Sequence, residues 1–194
     1  MKEFVYLGSR LSNKCDEESE IEWRLLKGNK CAEGLNRYIG ARKIFRSIKE
    51  RVYKTIIRPT VVYGCEAWVL NKKLEEKLLR RERKIFRRIY GGKKVGEGYE
   101  RRVNKEIYDL YGEADILEVI KGRRLEWLGH MKRMPDTRVV KQISDRQQEG
   151  TSKKGRPRLR WRQRVLQDIE ERKIKNWKRE ARDKKIWNIL ILFI

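Results

Sequence analysis

The stretch "NKKLEEKLLRRERKIFRRIY", residues 71–90, decides the fold. Asn71 suits an N-cap, and Leu74, Leu78, Arg81, Ile85 and Ile89 then recur at steps of three and four, one face of an α-helix. Paired Lys and Arg residues flank that face, so one side is expected to be buried while the sides present guanidinium groups. A similar ladder lies upstream. Ile21, Leu25, Gly28, Ala32, Leu35 and Ile39 predict a helix of about 20 residues, with Asp16, Glu17, Glu18 and Glu20 at its positive end and Ser19 as candidate cap. Phe45, Ile48, Val52 and Ile56 predict a further helix that stops near Arg58, because Pro59 disfavours helix at the residue before it.

The rest of the chain fits around these helices. "FVYLGSRL" at 4–11 reads as a short strand and turn. "TVVYGCEAWVL" at 60–70 is a strand by propensity and a helix by length and neighbours, and both readings stay open. The four Gly in "YGGKKVGEGYE", 90–100, predict a loop. Short helical patterns follow around Ile107 to Tyr111, and a longer one carries Ile116, Ile120, Trp127 and Met131 to a stop at Pro135. Others run from Arg138 to about Gln148 and over 158–173 and 177–190, parted near Asn176. The expected fold class is mainly α, with a short N-terminal β-hairpin and a basic helical C-terminal region.

Composition narrows the function. Lys and Arg outnumber Asp and Glu by 51 to 28, a formal charge of +23 that repels itself in the compact state and attracts polyanions. Nucleic acid is the first partner this suggests, an anionic membrane surface the second. With 39% hydrophobic residues and six Trp, the chain is too apolar to be a disordered polyelectrolyte. Cys15, Cys31 and Cys65 lack CxxC spacing, so neither a zinc site nor a disulfide framework is indicated, and a reducing compartment fits. The N-terminus lacks the apolar core of a signal peptide, and the C-terminal apolar run is far shorter than the roughly 20 residues of a membrane span. The expectation is a soluble intracellular protein, nuclear or cytoplasmic and not secreted.

The positive charge gathers in two places. Residues 80–94 hold Arg80, Arg81, Arg83, Lys84, Arg87, Arg88, Lys93 and Lys94 against one acid, Glu82. Residues 153–164 hold Lys153, Lys154, Arg156, Arg158, Arg160, Arg162 and Arg164 with no acid. The planar fork of Arg matches phosphate geometry. Pro157 holds Arg156 extended and suits the first turn of a following helix, whose N–H groups beside Gly155 would form a phosphate site. Trp161, Val165 and Ile169 share an apolar face of that helix, which makes Trp161 a core anchor rather than a base-stacking platform. His130 is the single histidine, so a Ser-His-Asp or His-metal cluster cannot form in one chain, and a structural role is expected. "MPD" at 134–136 with Asp145 and Lys153 has a nuclease-like look that a turn after a Pro-terminated helix explains.

The order of "FVYLGS" (4–9), "YKTIIRPTVVYGCEAW" (53–68), "RRLEWLGHMKRMPD" (123–136), "KGRPRLRW" (154–161) and Ala181-x-Asp183-x-x-x-Trp187 resembles the C-terminal part of the endonuclease–reverse transcriptase of non-LTR retrotransposons. The resemblance runs from Phe4 to about Trp187. It implies an end-of-palm remnant over 1–14, a thumb-like helical region over 15–92, a post-thumb helical region over 93–149, and a basic loop with C-terminal helices over 150–194. The thumb-like bundle would hold the template–primer duplex, so the implied partners are RNA–DNA hybrid, duplex DNA or RNA. The family's polymerase needs Mg held by an Asp-Asp pair upstream of "YLGS". The Asp residues here (16, 109, 115, 136, 145, 168 and 183) all stand alone, so no cofactor and no polymerase activity are expected of this chain by itself. The ending "NILILFI" departs from the family and suggests a truncated or decayed element product. Two other readings stay open. "KGRPR" approaches an AT-hook, which lays Arg into an A·T-rich minor groove, and a decayed product would have no selected role.

Overall fold

The computed structural model describes residues 3–13, 17–145 and 160–192, and it is mainly helical. Its packing divides the chain into two units, Met1–Gly64 with Leu70–Val119 and Cys65–Val69 with Ile120–Ile194. No helix of the described residues is long and apolar enough to cross a membrane.

The first unit opens with an antiparallel hairpin of β1 (Glu3–Tyr6) and β2 (Ser9–Ser12), Phe4 opposite Leu11. Its turn is tight, with Leu7 at φ 45° and Gly8 at φ 82°. A buried ion pair ties the hairpin to α1 (Glu18–Gly34): Arg24 Nε lies 2.7 Å from Glu20 Oε1. A second guanidinium nitrogen donates to Gly8 O, while the other Glu20 oxygen accepts the Arg10 N–H. The Arg24 guanidinium also lies 4.4 Å over the Tyr63 ring, and Tyr63 Oη donates to Leu7 O at 3.0 Å. The hairpin is therefore held by polar contacts to α1 and Tyr63, with its apolar side chains Phe4, Val5, Tyr6 and Leu7 exposed.

The sequence reading of this region needs three corrections. Glu17 rather than Ser19 is the N-cap of α1, and Glu20 pairs with Arg24 and the hairpin instead of capping. The expected single helix breaks at Leu35 and resumes as α2 (Asn36–Ile39). The third concerns the Phe45 ladder. α3 (Arg46–Val52) passes through a π turn (Tyr53–Ile57) into α4 (Arg58–Val61), so the helix runs through Pro59. In the widened turn the Arg58 N–H reaches back to Tyr53 O, which leaves room for the proline ring that would clash in a regular helix. The buried face is not the expected one. Tyr53, Ile57 and Val61 are buried, while Phe45, Ile48 and Ile56 face solvent.

α5 (Lys72–Tyr90) is the spine of the unit. Asn71 Oδ1 accepts the Leu74 N–H at 3.0 Å, and Leu74, Leu78, Ile85 and Ile89 are buried as the ladder predicted. Phe86 adds an aromatic core: its ring centroid lies 4.8 Å from Tyr53 and 4.4 Å from Tyr111. α5 ends at Gly91 (φ 68°), where the chain enters a second hairpin, β3 (Lys93–Val95) and β4 (Gly98–Glu100). The glycines that predicted a loop serve instead as helix stop and hairpin turn, Gly96 taking φ 57°. α6 (Asn104–Tyr111) follows, and then α7 (Ile116–Arg133), capped by Asp115 Oδ1 accepting the Leu117 and Glu118 N–H groups at 2.9 and 3.0 Å.

The second unit packs α7 from Ile120 with α8 (Val139–Asp145), α9 (Trp161–Glu171), α10 (Trp177–Glu180) and α11 (Lys184–Leu192). The 60–70 stretch is not a strand: it opens with the last residues of α4, turns at 62–64 with Gly64 at φ 74°, and forms a 3₁₀ turn at Cys65–Ala67. Trp187 is fully buried and donates from Nε1 to Leu125 O at 2.8 Å, beside Gly129, where any Cβ would strike its indole. Arg124 and Asp168 form a second buried ion pair at 2.8 Å. The expected 177–190 helix is interrupted, because Asp183 Oδ1 accepts the Lys185 and Ile186 N–H groups and starts α11 anew. Asn176 parts α9 from α10 at φ 51°, as its position suggested.

Candidate nucleic-acid interface

The interface begins with how α5 sorts its charges. In its N-terminal half, Lys73 lies 3.1 Å from Glu18, and Lys77 lies 2.6 Å from Glu22 and 3.4 Å from Glu18, so α1 neutralises this end. The C-terminal half is different. Arg80, Lys84 and Arg88 repeat every fourth residue as an exposed stripe opposite the buried face. None of the three has an ion-pair partner among the described residues. Arg88, with Arg87 beside it, also sits in the last turn, where the helix dipole favours a cation.

Arg81, Arg83 and Arg87 flank this stripe, half-buried. Arg87 donates to Asn104 Oδ1 at 2.6 Å, which fixes one edge of the cluster to the start of α6. Burial first, then the neighbouring charges of Arg101 and Arg83, hold the Arg87 guanidinium below its usual pKa. Arg81 is lowered in the same way, by burial and then by Arg88. The cations therefore crowd one another. Self-repulsion of this kind is relieved by an anion laid across it.

The basic segment beyond residue 150 divides differently. Lys153, Lys154, Arg156 and Arg158 lie outside the described residues, as does Pro157. α9 starts at Trp161, later than expected, with extended Arg160 as its N-cap and the Arg160 N–H donating to Gln163 Oε1 at 2.9 Å. Arg162 is exposed, whereas half-buried Arg164 turns inward to lie 3.8 Å from the buried Asp168. Arg164 therefore supports the core of its unit. Trp161 is a core anchor: it packs against the buried cluster and its Nε1 donates to Glu66 O at 2.7 Å. The structure thus brings Arg80, Arg81, Arg83, Lys84, Arg87 and Arg88 together on α5, and sets Arg160, Arg162 and Arg164 in the second unit.

The other candidates lie elsewhere on the fold. Exposed His130 tilts against Trp127, ring centroids 5.4 Å apart. Asp136 pairs with Lys141 at 2.6 Å in the turn after α7. Ala181 is buried, Asp183 caps α11 and Trp187 fills the core, so this motif builds the fold of the second unit. Among the described residues no three His, Cys, Asp or Glu side chains gather in a way that could hold a metal ion.

Compared with known proteins, the chain is similar to a putative uncharacterized transposon-derived protein of Caenorhabditis elegans. The two are 27% identical over 202 residues, spanning 97% of this chain and 70% of that protein. The similarity supports a transposon-related origin. No family model matches the chain, and no solved structure matches it.

Proposed function

We propose that this chain is the nucleic-acid-binding part of a non-LTR retrotransposon reverse transcriptase, spanning the end of the palm, the thumb and the post-thumb region. The observation that carries the reading is the Arg80–Lys84–Arg88 stripe: three exposed cations one helical turn apart, without ion-pair partners among the described residues and flanked by three more Arg. A rigid row of that kind tracks a phosphate backbone, and phosphate contacts position a duplex without reading its sequence. The relative of transposon origin and the ordered motifs of the resemblance agree with it. The chain by itself has no polymerase activity, because no two of its aspartates are adjacent to hold the metal ions of nucleotidyl transfer.

The test is binding of the purified chain to RNA–DNA hybrid, duplex DNA and single strands over a salt series, with primer extension alongside. If about six phosphates are neutralised, log K falls with log salt at a slope of about −5 on duplex. A slope near zero refutes the reading, as does extension by the lone chain.

A further inference from the structure

The β3–β4 hairpin stands out from the first unit. All six of its strand residues are exposed, and two short strands alone are at best marginally stable in water. Its base is nevertheless clamped. Lys93 Nζ lies 3.1 Å from Glu106 Oε1, and Glu106 Oε2 accepts the Val103 N–H at 3.1 Å. Arg102 reaches Gly92 O at 3.5 Å, and Arg87 holds Asn104. A Cβ on Gly92 would lie 3.0 Å from Glu100 O and 3.4 Å from Tyr99 Cβ, so the chain closes tightly here. A protruding hairpin is thus fixed at its root by the helix that follows it.

Beyond the clamp, the hairpin carries one aromatic ring and unpaired cations. Tyr99 is 77% exposed, and it lies directly opposite Lys94, which places both side chains on one face of the two-stranded sheet. Neither Lys94 nor Arg101 has an ion-pair partner among the described residues. Arg101 is close enough to Arg87 to lower its pKa, so the hairpin's charge continues that of α5. A core does not call for a ring in this position.

We infer that the β3–β4 hairpin is a contact for unpaired nucleotides, with a base stacked on Tyr99 and the adjoining phosphates met by Lys94 and Arg101. The inference rests on the nucleic-acid reading of α5 and deepens it. The α5 stripe grips backbone of either kind, whereas an aromatic face flanked by cations favours strands whose bases are free to stack. Duplex offers no such face, because its bases are already stacked on one another.

The experiment compares wild type, Tyr99→Ala, Tyr99→Phe and an Arg80→Gln/Lys84→Gln/Arg88→Gln triple variant on a single-stranded RNA and on a duplex of the same length. Stacking on one ring is expected to give about a tenfold loss for Tyr99→Ala on the single strand and little change on duplex. Tyr99→Phe, which keeps the ring and drops the hydroxyl, retains single-strand binding. Equal losses on both ligands, or no loss on the single strand, overturn the inference while the triple variant still reports on α5. Wild type that binds neither ligand overturns the α5 reading and the hairpin with it. Because Tyr99 is a surface residue, circular dichroism of the variants stays that of wild type.

Discussion

Tyr53 Oη donates to Glu82 Oε1 across 2.6 Å, inside the aromatic core of the first unit. The other carboxylate oxygen accepts from Tyr108 Oη and from the Ile116 N–H, each at 3.2 Å, so one buried acid joins the π turn, α5, α6 and the start of α7. Burial, above all, raises the Glu82 carboxyl from its ordinary 4.5 to about 7, and the charge of Asp115 adds to the rise. The folded state then holds its proton where the unfolded chain has released it. Stability is therefore full below about pH 4.5, falls as pH rises through about 7, and is level above that, a change of roughly 3 kcal/mol from this group. Urea titrations at several pH values should show that fall in wild type and lack it in Glu82→Gln, which cannot titrate. An unchanged slope in the variant would place the proton elsewhere.

Arg124 and Asp168 are 1% and 0% exposed in their side chains, and the second arm of Arg124 donates to Trp68 O at 3.0 Å. Burial drives the two against ionisation, lowering the guanidinium and raising the carboxyl, while each opposes that shift in the other. Removing one partner strands the other charge. Asp168→Ala should cost about 3–5 kcal/mol, whereas the double change Arg124→Met/Asp168→Leu should recover most of it. Chemical denaturation of the two variants decides it: a single variant as stable as wild type would mean that the pair contributes nothing.

Gly28 lies where α1 crosses α4, and a Cβ there would run into the Val61 side chain. Gly34, at the end of the same helix, has nothing within 4 Å of a built Cβ. Gly28→Ala should therefore destabilise by about 1–3 kcal/mol through overpacking. Gly34→Ala should be neutral or slightly stabilising, because alanine is the better helix former. Thermal melts of the two variants read this directly, and equal melting temperatures would argue against the close crossing.

The parts of the fold that showed in the sequence are those in which one signal acts alone. Leu74, Leu78, Ile85 and Ile89 predicted the buried face of α5 because nothing interrupts that helix. Phe45, Ile48 and Ile56 misled because an apolar ladder marks a face without saying which way it points, and the buried face here is Lys49, Tyr53, Ile57 and Val61. The buried charges at Glu82, Arg124 and Asp168 were invisible, since their partners come from distant segments that only the fold brings together, and Glu20 and Arg24, though an i,i+4 pair, are buried only by the hairpin laid over them. The candidate site was half legible. Charge density pointed to Arg80, Lys84 and Arg88, but Tyr99 lay in a stretch whose glycines looked like a plain loop. Its signal was an aromatic just past the Gly96 turn, at the hairpin position opposite Lys94.

The stripe and the neutralised end of α5 make opposite demands on the same experiment. Lys73 and Lys77 are as positive as Arg80, Lys84 and Arg88, but they face Glu18 and Glu22 at 2.6–3.4 Å. A paired lysine already has its counter-charge and releases few condensed ions when a duplex arrives. Lys73→Gln/Lys77→Gln should therefore leave the salt slope of duplex binding nearly unchanged. Arg80→Gln/Lys84→Gln/Arg88→Gln removes up to three phosphate contacts and should make the slope shallower by about 3, about equally for every duplex sequence. Fluorescence anisotropy over a salt series measures both variants. If the two flatten the slope alike, binding follows net charge alone, and the geometric sorting of cations along α5 has no part in it.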